Sequence, residues 1–211
     1  LIPGEDEEVH GMELKYIGKH TIFNLTTALP QAVSEVERMG AMAIRNLDRS
    51  MDALLKKDEK LLEEVYKKEK IIDYLNTEIS NYLVKVNQLS LPIQDRKQLG
   101  AMFHVVNDIE RIGDHAENIA DFAKTTMEAN LKFSKKAQNE LREMYEKVNE
   151  LLTYAVQMFV SGDDSHSDVV LQLENEIDKM EKKLQKKHVN RLANNKCEPH
   201  AAMIFTDLLS N

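Results

Sequence analysis

The sequence predicts an all-α fold of two antiparallel three-helix units in tandem, the second truncated. Three observations point there. Apolar residues recur every three or four positions through most of the chain beyond residue 25, the period of amphipathic helices. Turn formers are scarce, with seven glycines and four prolines among 211 residues, too few for an all-β protein, and a 42% hydrophobic content argues against wholesale disorder. Segments 105 positions apart resemble one another, as a tandem repeat requires.

The preamble, residues 1–25, is interrupted by Pro3, Gly4, Gly11 and Gly18 and carries the acid run Glu5, Asp6, Glu7, Glu8; it reads as a linker or surface strap. Thr26 or Thr27 can cap a helix opened by Pro30, with Val33, Val36, Met39, Ala43, Leu47, Met51 and Leu54 on its apolar face. A second helix begins near Asp58 and carries Leu62, Val65, Ile72, Leu75, Ile79, Leu83 and Val86. Ser90 and Pro92 mark a turn and a new start. The third helix follows, from about 93 to 128, through Leu99, Met102, Val106, Ile109, Ile112, Ala116 and Ile119. Ser134 caps a fourth, with Leu141, Met144, Val148, Leu151, Leu152 and Phe159 on one face, and Gly162, Asp163 and Asp164 break it. A fifth bears Val169, Leu173, Ile177, Met180, Leu184 and Val189 and ends at Asn194 and Asn195. Pro199 opens a sixth that the sequence does not finish.

The repeat carries Glu69-Lys70-Ile71-Ile72-Asp73 onto Glu174-Asn175-Glu176-Ile177-Asp178, and Asp58 onto Asp163. It divides the chain into the preamble 1–25, a first unit 26–130 and a second unit 131–211 incomplete at its C-terminal end. The chain starts at Leu1 and stops within an apolar pattern, and so reads as an excerpt of something longer.

A net charge of −8 argues against a nucleic-acid partner, whose footprint is basic. The single cysteine, Cys197, rules out an internal disulfide and has no CxxC partner. No stretch approaches the roughly 18 uninterrupted apolar residues of a membrane span. Gly-rich phosphate-cradling loops are absent.

The chemistry concentrates in residues 107–121, the densest polar segment on an otherwise apolar face. Glu110 and Asp114 are four apart and stack on one helix face, as Glu69 and Asp73 do on the preceding helix. Like charges at that spacing destabilise a helix by a few tenths of a kcal/mol unless a cation sits between them. Two antiparallel helices each offering a pair would set four carboxylates around one site, suited to a hard cation such as magnesium, manganese, calcium or iron. With 36 acids in 211 residues, about six such pairs arise by chance, and a solvated face is their usual fate. The setting distinguishes this one: Ile109, Ile112, Ala116 and Ile119 flank the acids, and Gly113 sits mid-helix, where it costs about 1 kcal/mol relative to Ala. A glycine there suggests close approach of another helix or room for a ligand. A di-iron bundle would need Glu-x-x-His on helices, a spacing found only at Glu7 and His10 in the preamble. His115 is kept as a residue that could orient a ligand; His104 reads as a packed or surface histidine.

The run Asp108-Ile109-Glu110-Arg111-Ile112-Gly113-Asp114-His115-Ala116-Glu117-Asn118-Ile119-Ala120 resembles the signature of the PhoU family, and the resemblance extends over roughly residues 28–211. It implies metal clusters held by acidic pairs on paired helices, and a role in regulating phosphate uptake. Carried over, the metal residues are Glu69 and Asp73 with Glu110 and Asp114, and Glu174 and Asp178 in the second unit. The partner pair of Glu174 and Asp178 would fall past Asn211. The preamble is similar to the segment joining the membrane and PhoU-like portions of bacterial sodium/phosphate cotransporter-type proteins. The leading expectation is therefore a non-enzymatic, metal-binding regulatory domain at the cytoplasmic face of the inner membrane. Its partner would be a transmembrane transporter portion of the same chain or a phosphate-transport complex. An incomplete second unit would leave apolar surface that favours a homodimer. The alternatives are a free-standing PhoU-type regulator, a carboxylate-bridged metalloenzyme, and an inert helical scaffold.

Overall fold

The computed structural model describes residues 12–18, 25–194 and 197–211. Six helices run in chain order: α1 (Leu25–Lys56), α2 (Glu59–Asn87), α3 (Ile93–Glu128), α4 (Lys135–Ser161), α5 (Ser167–Ala193) and α6 (Pro199–Ser210). There is no strand among the described residues. The all-α class and the order of elements are those expected. The acid run at residues 5–8, Pro3, Gly4, Gly11, the Glu7/His10 spacing and Asn195 lie outside the described residues.

The helix ends show how local chemistry sets the boundaries. Ser134 caps α4, its Oγ accepting the Ala137 N–H at 3.2 Å, and Gly162 stops the helix in the left-handed region at φ 65°. Pro199 sits in the first turn of α6, where its missing N–H costs nothing; the cap is Glu198, whose carboxylate accepts from the His200 and Ala201 amides. Pro30 differs from expectation: α1 begins at Leu25, so the proline lies inside the helix rather than opening it. At the sixth position of the helix its missing N–H forgoes one intrahelical bond, the one that would reach the Thr26 carbonyl.

The described residues form two compact units: 12–18, 25–47 and 63–116 in one, and 48–62, 117–194 and 197–211 in the other. In the first, α1, α2 and α3 contribute an antiparallel three-helix core of Val36, Met39, Val65, Ile72, Leu75, Leu83, Met102 and Val106. Asn46 Nδ2 donates to the Val65 carbonyl at 3.1 Å, and the Tyr82 hydroxyl reaches the Ala28 carbonyl at the opposite end of the α1/α2 pair. The segment 12–18 has no helix. Ile17 is buried, and the Tyr16 amide donates to Glu35 Oε1. Glu35 is fully buried on α1 and also accepts from Arg38 Nε at 2.9 Å.

In the second unit α4 packs on α5 and α5 on α6. The core is leaner: Ala137, Leu141, Leu173, Leu184, Ala202, Ile204, Phe205 and Leu209 are buried, but most of the α4 stripe is only half-buried. Val169 and Val189, placed on the apolar face of α5 by their spacing, are exposed, Val189 at 64%. His188 occupies the inward position, 5% exposed and stacked on Phe205 with ring centroids 4.5 Å apart. Glu140 joins α4 to α5 through Arg191 at 2.7 Å and Lys187 at 3.3 Å.

Candidate metal centre

α2 and α3 form a hairpin closed by a short turn at residues 88–92, so positions equidistant from that turn face each other. Glu69 thereby meets Gly113, and Asp73 comes beside Glu110. A β-carbon on Gly113 would lie 2.6 Å from both carboxylate oxygens of Glu69. The glycine is what makes room for that carboxylate, which is only 4% exposed. This is the close approach that a mid-helix glycine suggested.

One turn further along, Asp73 and Asp114 are exposed and Glu110 is half-buried. Burial pushes the Asp73 carboxyl above its usual range, and the negative charge of Asp114 pushes it further. Glu110 is raised by burial, then by Asp114 and Asp73, with Arg111 opposing. The three side chains therefore share one negative field across two helices. Arg111 itself turns aside to Asp108, at 3.9 Å on an exposed face. His115 is half-buried one position beyond Asp114.

Chemically this is an all-oxygen donor set in which like charges stand close together, a repulsion that a hard cation would relieve. Among the described residues, no three His, Cys, Asp or Glu side chains converge into a ready ligand set. The carboxylates are neighbours whose oxygens would have to turn inward to coordinate. Glu174 and Asp178 lie on an exposed face of α5. Between them Glu176 accepts from Gln172 at 2.9 Å and from Lys147 at 2.6 Å, and Gln172 first, then Lys147, holds its carboxyl below the usual range. Glu35 and His188 were not singled out from sequence. Both sit in the apolar rhythm of their helices, Glu35 between Ala32 and Met39 and His188 four residues after Leu184, and that rhythm was their signal.

The profile of the PhoU domain matches residues 36–123 and 141–210. The chain belongs to the PhoU domain family. The two matched stretches begin 105 residues apart, the offset of the internal repeat. The first contains Glu69, Asp73, Glu110 and Asp114, and the second contains Glu174 and Asp178. A "Phosphate-specific transport system accessory protein PhoU homolog" of Clostridium acetobutylicum is 28% identical over 170 residues, covering 80% of this chain and 76% of its own. A homologue of the same name from Xylella fastidiosa strain Temecula1 is 29% identical over 101 residues, 48% of this chain and 42% of its own. The crystal structure of PhoU from Pseudomonas aeruginosa superposes with a TM-score of 0.82 at 20% identity, over 89% of both chains. At that identity the likeness speaks for the fold, a PhoU helical bundle. No helix among the described residues of this PhoU-domain chain is long and apolar enough to cross a membrane.

Proposed function

We propose that the chain is a PhoU-type accessory regulator of phosphate transport, acting by binding rather than by catalysis, with a hard cation taken up by Glu69, Asp73, Glu110 and Asp114. The observation that carries this reading is the acidic cluster of α2 and α3, built around the Glu69–Gly113 approach inside the first PhoU-matched stretch. Magnesium, manganese, calcium and iron all suit such donors. Glu174 and Asp178 are proposed as ligands of a second site in the second unit. The cation would draw the two helices of the hairpin together and thereby change the surface offered to a phosphate-transport complex at the cytoplasmic face of the membrane.

The names of the relatives support an accessory protein of a phosphate-transport system more than a domain attached to a sodium/phosphate cotransporter. The similarity of the preamble to a joining segment is what supports the attached form. A carboxylate-bridged metalloenzyme has neither a nucleophile nor a general-base dyad to recommend it.

Two measurements test the proposal. Metal analysis and melting curves with manganese, magnesium, calcium or ferric ion should show binding that Asp73→Asn with Glu110→Gln abolishes. In the host, deletion should alter phosphate uptake under phosphate-replete conditions, and the wild-type gene should restore it. Absence of any cation effect would sink the site, and unaltered phosphate uptake would sink the transport role.

A further inference from the structure

The chain is acidic overall, yet residues 179–191 carry Lys179, Lys182, Lys183, Lys186, Lys187 and Arg191 against one acid, Glu181. On α5 these lysines spread over one exposed or half-exposed face. Lys179, Lys183 and Lys187 recur every four residues, forming a ladder about 12 Å long at 1.5 Å per residue. The ladder forms one wall of a groove of about 280 Å³ between α5 and α4, and Lys147 stands on the opposite wall. The groove is lined by two apolar side chains, Met180 and Leu184.

The lysines differ in how far they are already neutralised. Lys147 is bonded to Glu176, and Lys187 shares Glu140 with Arg191. Lys179 and Lys183, between these pairs, make no ion pair among the described residues. Glu143 completes the lining. With four lysines against three glutamates the groove carries little net positive charge, so a densely charged surface such as nucleic acid or an anionic bilayer gains little from it. A chain with spaced carboxylates and an apolar side chain between them meets both Lys179 and Lys183 and the apolar lining.

We propose that this groove is a docking site for an acidic, amphipathic segment of a partner protein, held by Lys179 and Lys183. The site goes beyond the cation cluster of α2 and α3, and neither depends on the other.

The test uses the full chain and a fluorescein-labelled peptide of repeating Glu-Leu-Ser triplets, with a Gln-Leu-Ser peptide as control. Binding is read by fluorescence anisotropy at low and raised salt. Lys179→Gln with Lys183→Gln should weaken binding about fivefold or more, whereas Lys182→Gln with Lys186→Gln, neither of which lines the groove, should change it less than about twofold. Circular dichroism melting verifies that both double variants remain folded. Equal binding of the two peptides, equal losses in the two double variants, or binding of phosphatidylglycerol vesicles in place of the peptide would overturn the proposal.

Discussion

The carboxylate of Glu69 fills the space that a side chain on Gly113 would need, so these two residues are a single packing unit across the α2–α3 hairpin. Their coupling has a sign that can be measured. In an isolated helix Gly→Ala gains about 1 kcal/mol. Here the new methyl would displace the far end of the Glu69 side chain, a carboxylate 4% exposed that would have to find another place in the interior, and overpacking costs about 1–3 kcal/mol. Gly113→Ala should therefore destabilise the protein by about 1 kcal/mol net. In a Glu69→Ala background the same change should stabilise it. Urea denaturation of the four proteins closes the cycle, and an effect of the same sign in both backgrounds would refute the pairing.

Asp73 and Glu110 have carboxyls raised above their ordinary values of 3.8 and 4.5. The folded state therefore holds protons more tightly than the unfolded state, and stability falls as pH rises from the unfolded values through the folded ones. At neutral pH without added cation, Asp73→Asn or Glu110→Gln should stabilise by a few tenths of a kcal/mol, a gain that vanishes below about pH 4. A bound cation should reverse its sign. Melting temperatures across pH, with and without manganese, decide the matter.

His188 titrates in the opposite sense. Burial lowers its pKa from the ordinary 6.5, and Arg191 lowers it further. Glu140 opposes, as does the Ala202 backbone, which lies outside full hydrogen-bond geometry with either ring nitrogen. The neutral ring is the folded form, so stability is complete above pH 6.5 and is lost as pH falls through the depressed folded value. The slope contributed by this one proton cannot exceed about 1.4 kcal/mol per pH unit. His188→Leu should flatten the profile on the acid side of about pH 7, and an unchanged profile would assign the acid sensitivity to other groups.

Gly162 terminates α4 at φ 65° with open space where a β-carbon would stand. Gly162→Ala should therefore cost only the conformational penalty, about 1 kcal/mol, in chemical denaturation. A much larger loss would mean that the turn carries contacts beyond its backbone.

Most of the helical framework was legible because it depends on local rules. Pro92 preceded a helix, Pro199 opened one, Ser134 capped one, Gly162 ended one, and the apolar spacing of α2 and α3 matches the buried residues closely. The acidic cluster was legible for the same reason: i and i+4 spacing on two helices around a short turn fixes which residues face one another. What the pattern could not carry was the identity of buried polar groups. Glu35 depends on the Tyr16 amide from a segment without helix, and His188 on an aromatic ring from α6. Those partners are distant in sequence. The exposure of Val169 and Val189 was hidden similarly, since periodicity says which side chains share a face but not whether another element covers them.

The short segment at residues 12–18 has a kinetic consequence. Lifting it would strip the Tyr16 amide from a carboxylate with no access to water, leaving Arg38 as its remaining described donor. A hydrogen bond to a buried charged group contributes about 1.5–3 kcal/mol, far more than an ordinary loop contact. Opening the segment on its own should thus cost about that much, more than an ordinary surface loop. In native-state hydrogen exchange, the Tyr16 amide should be protected about 10- to 100-fold over a free amide, although it belongs to no helix.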